Sequence, residues 1–257
     1  MSIQKPRESV SSLQKQIMSE HYGRAVQAKQ EGRPVVYVTA MFPVEIAKAF
    51  EPDVAVVYPE NHAVNLIVNG LAEELSEIAV SRASLDPMGC SYELANTGYL
   101  LTLRNRGPAG MDDRFAKLPL LPEPDILLAC NNQCDVVAEW YQNLSALLGN
   151  KLYRIINVGN RYDGMIDSLR IEYVKKQILD VIGLLEEQTG KPLDRDRLLE
   201  TAEISNQALR LWKAYLDFGK LTPTPMTAFD GFFHMALIVS ERGTKQAIDY
   251  YRMLVEE

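Results

Sequence analysis

Short apolar runs that alternate with helical patterns constrain the fold of this chain more than any other feature. One of them, residues 126–129, follows a lead-in broken by prolines and is succeeded at once by a helical pattern at 135–148. A buried strand followed directly by a helix is typical of an open parallel sheet. The runs that we interpret as strands are 35–40, 54–58, 126–129 and 152–158. The sequence therefore predicts an α/β fold with an open parallel sheet flanked by helices, of the Rossmann or flavodoxin type.

Helical patterns dominate on both sides of these strands. Residues 8–31 have the pattern of a polar helix, and apolar residues recur every three or four positions in much of the chain after residue 170. Within the strand-bearing part, a single helix is predicted from residue 59 to about residue 83. The predicted divisions are an N-terminal helical arm at 1–32, an α/β domain at 33–162 and a C-terminal helical segment at 163–257.

Composition excludes several classes of function. The net charge is −7 and no run of lysine or arginine occurs, which argues against a nucleic-acid-binding surface. Apolar runs stop well short of the ~18–20 residues that a membrane span needs, and the N-terminus has no apolar signal-peptide core. Three cysteines, an odd number, without an export signal indicate a reducing cytoplasm. The common NTPase, dinucleotide, zinc-protease and hydrolase motifs are absent from the sequence.

The cysteines are the first candidates for chemistry. Cys90, Cys130 and Cys134 each lie at a predicted strand-to-helix junction. Backbone N–H groups at the start of a helix favour an anionic thiolate. Such thiolates can bind zinc or an iron–sulfur cluster. The alternative is that at least one of the three is a small core residue, since free cysteine is commonly buried.

A second candidate group follows the predicted strand at 54–58. Glu60 and His62 lie there, and an acid/base role for either fits the end of a strand. The alternative is that Glu60 only helps to cap the next helix and that His62 packs beneath it. Thr39 ends the neighbouring strand and can hydrogen-bond a substrate oxygen, unless it is an ordinary β-branched strand residue.

Four motifs in order carry a resemblance to a known family. They are Tyr58-Pro-Glu-Asn-His62, Gly89-Cys-Ser-Tyr92, Pro124-Asp-Ile-Leu-Leu-Ala-Cys-Asn-Asn-Gln-Cys134 with Glu139-Trp-Tyr141, and Pro225-Met-Thr-Ala-Phe-Asp230. Together they resemble the 2-hydroxyacyl-CoA dehydratase / benzoyl-CoA reductase family over essentially the whole chain. The likeness is nearer to the benzoyl-CoA reductase-like members than to the fermentative dehydratases.

The resemblance implies an enzyme subunit with two α/β domains that pairs with a related subunit. A subunit of this family holds a [4Fe–4S] cluster through three cysteines. A separate ATP-hydrolysing iron–sulfur activator supplies one low-potential electron, which passes to a CoA thioester and produces a ketyl-type radical. Water is then lost from a 2-hydroxyacyl-CoA, or an aromatic ring is reduced.

The family roles transfer to particular residues of this chain. The resemblance makes Cys90 the first cluster ligand and Cys134 the second, with Cys130 as the alternate. It places Glu60 and Thr39 near the reacting oxygen of the substrate. The third ligand of the family comes from the second α/β domain, which we expect to be absent from this sequence. We therefore expect an amino-terminal fragment, a substitution of the missing ligand by Cys130, or an incomplete cluster.

Two other hypotheses about the function are consistent with the sequence. One is a truncated, non-catalytic structural subunit that pairs with a full-length one. The other is a zinc-binding α/β protein with structural thiolates.

Overall fold

A four-stranded parallel sheet forms the centre of the molecule. The computed structural model describes residues 9–107, 113–115, 118–159 and 167–256. The strands are β1 (Val35–Val38), β2 (Ala55–Val57), β3 (Ile126–Cys130) and β4 (Leu152–Ile156), in the order β2-β1-β3-β4. This arrangement confirms the predicted α/β class with an open parallel sheet.

The strand order creates a switch point between β1 and β3. The chain leaves β1 for β2 on one side and later returns to place β3 on the other side. Val36 pairs with Val56 of β2 and with Ile126 of β3, and Ile126 pairs with Leu152 of β4. In open α/β sheets, ligands bind beyond the carboxyl ends of the strands at such a point.

Helices surround the sheet and extend beyond it. In the described ranges they are α1 (Val10–Gln30), α2 (Val44–Lys48), α3 (Pro59–Val68), α4 (Ala72–Ala83), α5 (Ser91–Arg106), α6 (Asp135–Leu147), α7 (Ser168–Thr189), α8 (Arg195–Asp217), α9 (Ala228–Ser240) and α10 (Lys245–Glu256). No helix in these ranges has both the length and the apolar composition to cross a membrane.

The two faces of the sheet pack against different helices. Side chains alternate along a strand, so Tyr37 and Leu127 lie on the face that is covered by α1, α5 and α6. Val38 and Leu128 lie on the other face, against α2 and α7. Because both faces are covered, β1 and β3 are buried along their whole length.

The N-terminal and C-terminal helices share the core of the sheet. Tyr22 of α1 belongs to the same apolar cluster as Tyr37 of β1, Leu237 of α9 and Tyr251 of α10. The predicted division of the chain at residues 32 and 162 stays a prediction, but these parts pack in one continuous core.

The predicted single helix over residues 59–83 is wrong. It consists of α3 and α4, separated at Gly70, whose φ of 75° lies in the left-handed region. Glycine adopts this conformation without steric cost, and it redirects the chain between the two helices.

Candidate functional site

The loop after β1, residues 39–43, crosses the switch point, and we call it the rim loop. Thr39 is buried, and its Oγ1 accepts a hydrogen bond from the backbone N–H of Cys130 at 3.2 Å. Asn132 Nδ2 donates to the carbonyl oxygen of Met41 at 3.3 Å. The loop is therefore tied to the end of β3, where a ligand is expected in this fold.

Glu60 meets the rim loop from the neighbouring strand end. Pro59 begins α3, which places Glu60 in the first turn of that helix. Its Oε1 accepts the backbone N–H of Ala40 at 2.9 Å, whereas Oε2 is buried and has no hydrogen-bond partner among the described residues. The side chain is only 8% exposed, and burial raises the pKa of Glu60 to about 7. A carboxyl group with this pKa can both take up and release a proton at neutral pH.

His62 lies on a different side of α3 from Glu60. Residues two apart in a helix do not face each other. The imidazole is buried between the rings of Tyr22 and Tyr99, and its Nε2 is 3.0 Å from the carbonyl oxygen of Pro119. Burial lowers the pKa of His62 to about 4, so the ring is neutral and donates from Nε2. The structure does not bring His62 to the rim loop.

Cys130 is the last residue of β3 and faces away from α5 and α6. It shares its side of the strand with Leu128, and it packs in the cluster that contains Val38 and Ile156. It is 2% exposed, and burial raises the pKa of its thiol. This placement gives Cys130 the surroundings of a core residue.

Cys90 is presented by a turn and not by a strand. Gly89 N–H donates to the carbonyl oxygen of Asp86 at 2.9 Å, and Met88 N–H donates to Asp86 Oδ1 at 2.8 Å. A Cβ atom on Gly89 would lie 2.9 Å from that carbonyl oxygen, which explains the glycine. The prediction that Cys90 follows a strand is therefore wrong, because the segment before it comes from α4.

Cys90 and Cys134 occupy the same position on two neighbouring helices. They are the N-cap residues of α5 and α6, and neither helix has a side-chain cap. Asn143 of α6 bonds to Glu93 in the first turn of α5 at 3.1 Å, and Arg104 in the last turn of α5 bonds to the carbonyl oxygen of Leu147.

These two contacts show that α5 and α6 run in the same direction. Because α6 begins at the carboxyl end of β3, the first turn of α5 points to the same edge of the sheet. Both thiols therefore lie towards that edge, and Cys134 is exposed while Cys90 is half-buried.

A closed metal site is not formed by this arrangement. Among the residues that the structure describes, no group of three or more His, Cys, Asp or Glu side chains is placed to hold a metal ion. Cys90 and Cys134 are the N-cap residues of two helices whose N-termini point to one edge of the sheet, and Cys130 lies on the sheet face opposite those helices. By chemical type, the two thiols fit ligands of a metal centre.

An amide network at the ends of β3 and β4 was not predicted. Asn131 Nδ2 donates to Asn157 Oδ1 at 2.8 Å, and Asn131 Oδ1 accepts the N–H of Val158 at 2.8 Å. Gln177 of α7 accepts the N–H of Asn157 at 2.8 Å. The signal in the sequence was the pair of asparagines between the two cysteines, which has no periodic role. The network fixes the loop after β4 to the end of β3 and to α7.

The last of the family motifs has a structural role in the described chain. Thr227 is the N-cap of α9, and Asp230 accepts its backbone N–H at 2.7 Å in a reciprocal capping box. Pro225, Met226 and Asp230 also line a cavity of about 540 Å³ that lies away from the rim loop, between α1, α8, α9 and α10.

Comparison with known proteins adds an independent line of inference. Residues 39–257 match the model of a family described as 2-hydroxyglutaryl-CoA dehydratase, D-component. The chain is 38% identical to the (R)-2-hydroxyisocaproyl-CoA dehydratase alpha subunit of Clostridioides difficile, over 94% of this chain and 56% of that protein. It is 32% identical to the (R)-phenyllactyl-CoA dehydratase alpha subunit of Clostridium sporogenes, over 91% of this chain and 54% of that protein.

A reductase is among the more distant relatives. The chain is 26% identical to a subunit of the benzoyl-CoA reductase of Thauera aromatica, over 96% of this chain and 55% of that protein. The expectation of a closer likeness to the reductases is therefore wrong, because the two dehydratase subunits have higher identities. The chain spans a little more than half the length of these relatives. The extent of the family match confirms the resemblance, and the chain belongs to the 2-hydroxyglutaryl-CoA dehydratase D-component family.

Proposed function

We propose that this chain is part of a subunit of a 2-hydroxyacyl-CoA dehydratase, an enzyme that removes water from a 2-hydroxyacyl-CoA. The observation that carries the proposal is the family match over residues 39–257, together with identities of 38% and 32% to two dehydratase subunits against 26% to the reductase subunit. Ring reduction of the benzoyl-CoA type is the less favoured reaction for the same reason.

The proposed cofactor is a [4Fe–4S] cluster with Cys90 and Cys134 as two of its ligands. Both thiols lie at uncapped helix starts on the edge where the rim loop lies, which supports this assignment. When bound, such a cluster supplies a low-potential electron to the thioester. The orientation of Cys130 speaks against its use as a third ligand, so we assign that ligand to the second α/β domain that the family resemblance implies.

Glu60 is the proposed proton carrier. A hydroxyl group leaves as water only when it receives a proton, and a carboxyl group with a pKa of about 7 can deliver one from Oε2. The Ala40 N–H holds Oε1, which leaves Oε2 for the substrate. Thr39 Oγ1 accepts the Cys130 N–H, and its own hydroxyl hydrogen can be donated to a substrate oxygen. We assign no catalytic role to His62, because its ring is enclosed away from the rim loop.

The proposed partners are an acyl-CoA, a homologous second subunit and an ATP-dependent iron–sulfur activator. The relatives named alpha subunits support a second subunit. On this chain, Phe229 and Phe232 of α9 are 76% and 70% exposed, which is typical of a surface that a protein partner covers. A reducing cytoplasm is the proposed location, since it keeps an exposed thiol such as that of Cys134 reduced.

Anaerobic reconstitution of the chain with iron and sulfide tests the cluster. We expect the broad visible absorption of an iron–sulfur cluster, and we expect its loss in Cys90→Ala and in Cys134→Ala. Cys130→Ala is the matched control, because it removes a thiol of the same chain from the other face of the sheet. Equal loss in all three variants would contradict the assignment.

A second candidate function is that of a structural subunit without a cluster. It is favoured by the finding that the described residues contain no group of three metal-binding side chains. A chain that stays colourless in the reconstitution, but still binds a full-length related subunit, would support this role. Metal analysis of protein purified without oxygen separates both readings from a zinc-binding protein.

A further inference from the structure

The turn between α9 and α10, residues 240–244, carries buried polar contacts that the proposed chemistry does not use. We call it the 240–244 junction. Glu241 contacts His21 of α1 at 2.7 Å, and the carbonyl oxygen of Ser240 accepts Lys48 Nζ of α2 at 3.0 Å. The junction is therefore a place where the C-terminal helices are bonded to the α/β part of the chain.

Two further contacts of the junction lie on the two sides of the Glu60–Ala40 hydrogen bond. On one side, Asn61, which follows Glu60, donates Nδ2 to Ser240 Oγ at 2.5 Å. On the other side, Arg242 donates from a terminal guanidinium nitrogen to the carbonyl oxygen of Phe42 at 2.9 Å. The 240–244 junction therefore binds next to both partners of this hydrogen bond. It contacts Asn61 beside Glu60, and it contacts Phe42 at the end of the turn that contains Ala40.

Arg242 binds two acceptors at once. Its Nε donates to Glu45 Oε1 at 3.0 Å, while the terminal nitrogen donates to the Phe42 carbonyl oxygen. Glu45 Oε1 also accepts Ser205 Oγ at 2.7 Å, which fixes the carboxylate. The side chains of Arg242 and Glu45 are only 14% and 19% exposed, so solvent and salt screen these charge-assisted bonds little. A planar guanidinium fixes two such acceptors in a defined geometry.

The rim loop combines an exposed outer part at Met41 with buried ends at Thr39 and Phe42. Phe42 N–H bonds to the Thr39 carbonyl oxygen at 3.0 Å, which closes a turn around Ala40 and Met41. Met41 is exposed, and the described contact of its backbone with Asn132 is long, at 3.3 Å. The Phe42 carbonyl oxygen accepts the N–H of Val44 at 2.7 Å and the guanidinium of Arg242 at 2.9 Å, so a charged side chain from the C-terminal helices binds the end of the turn.

We propose that Arg242 is a positioning residue, which holds the Phe42 carbonyl oxygen and thereby directs the Ala40 N–H to Glu60 Oε1. The C-terminal helices then set the geometry of the proton-carrying carboxyl group. The significance of this geometry for catalysis rests on the function proposed above for Glu60, whereas the contact itself does not.

The test is a pH titration of the Ala40 amide by ¹H–¹⁵N NMR on the purified metal-free chain. In the wild type, this amide shift follows the ionisation of Glu60, and Glu60→Gln removes the response. In Arg242→Ala we expect the amplitude of the response to fall about threefold, because N–H···O interactions weaken steeply as the geometry is lost. In Arg242→Lys we expect a fall of about twofold with the fold intact, because a lysine is a point charge without the fork.

Ser205→Ala is the matched control. It removes the other donor to Glu45 from the same buried network without touching the rim loop, so the Ala40 response should keep its amplitude. An unchanged response in Arg242→Lys and in every folded Arg242→Ala sample would overturn the proposal, and so would an equal loss in Ser205→Ala. Because no substrate, cluster or partner is needed, these outcomes are independent of whether the chain belongs to a working dehydratase.

Discussion

The helix starts of the α/β part differ from those of the surrounding helices. In the described chain, α2, α3, α4, α5 and α6 begin without a side-chain cap. In contrast, α1, α7, α8, α9 and α10 each have a side-chain oxygen that accepts a first-turn N–H, from Ser9, Asp167, Asp194, Thr227 and Thr244 respectively.

This difference shows which helices are stabilised by a side-chain cap and which leave their first-turn N–H groups without one. A side-chain cap typically contributes about 1 kcal/mol, so the capped helices are stabilised locally. The uncapped helices leave first-turn N–H groups without a side-chain acceptor, and in α5 and α6 those groups lie next to a thiol. Departures from a local rule of stability are expected at functional sites. The uncapped helices depend on close packing instead.

The substitution with the largest expected effect on the free energy of unfolding is at Gly98 of α5. A Cβ atom at this position would lie 2.0 Å from the carbonyl oxygen of Leu75 in α4, and neither backbone can move away easily. Gly98→Ala should therefore lower the free energy of unfolding by at least about 3 kcal/mol, the upper end of the usual cost of overpacking. Urea unfolding followed by circular dichroism measures this.

Gly183→Ala in α7 is the control for Gly98→Ala. Apart from its chain neighbours and its own helix backbone, no heavy atom of the described residues lies within 4 Å of a Cβ atom at Gly183, so the same substitution should stabilise that helix by about 0.5–1 kcal/mol. If both variants changed stability in the same direction, the distinction between closely packed uncapped helices and locally stabilised capped helices would be lost.

Glu60 should make the stability of the chain depend on pH. Its pKa of about 7 in the folded protein lies above the usual value of 4.5, because burial disfavours the charged form. Between these values the folded state binds more protons at Glu60 than the unfolded state does, so the contribution of Glu60 to stability is largest at low pH and is lost as the pH rises to about 7. The total fall is about 3 kcal/mol.

Glu60→Gln isolates this contribution. Glutamine can still accept the Ala40 N–H, but it does not ionise. The variant should therefore match the wild type near pH 4.5 and exceed it by about 3 kcal/mol at pH 8 in urea unfolding. Glu187→Gln, on the exposed side of α7, is the matched control for the change of charge. A constant difference between Glu60→Gln and the wild type across this range would refute the buried, proton-holding carboxyl group.

The strands could be predicted from sequence because each is a short β-branched or apolar run before a helical pattern. The face of the sheet on which Cys130 lies could not be predicted from sequence. Both faces of β3 are buried, so its residues show no polar alternation that distinguishes the side of Leu127 from that of Leu128. The position of Glu60 at a strand end was predictable, whereas its contact with Ala40 depends on how two loops meet.

Contacts between residues that are far apart in the chain could not be predicted from the sequence. Arg242 and Phe42 are 200 residues apart, and no local pattern relates them. The break at Gly70 was missed for another reason, since apolar residues continue through it and a glycine inside a helical pattern is often tolerated. The ligand roles of Cys90 and Cys134 stay predictions, because their positions at helix starts follow from the fold but their metal does not.

The smallest expected effects come from two substitutions, one that removes the side-chain cap of α8 and one that gives α6 a side-chain cap. Asp194→Ala should cost about 1 kcal/mol, because Asp194 Oδ1 accepts the N–H of Arg197 at 3.0 Å.

Cys134→Ser should act in the opposite direction on the metal-free chain. The backbone of Cys134 has φ −138° and ψ 159°, the extended geometry in which a serine hydroxyl caps a helix, and a gain of up to about 1 kcal/mol is expected. Cys134→Ala separates the cap from the loss of the thiol, and it should leave the free energy of unfolding close to the wild-type value. Serine must therefore be the most stable of the three residues at this position in thermal and urea unfolding. If serine and alanine were equally stable, the first-turn N–H groups of α6 would already be satisfied, and they would not be available to a thiolate at residue 134.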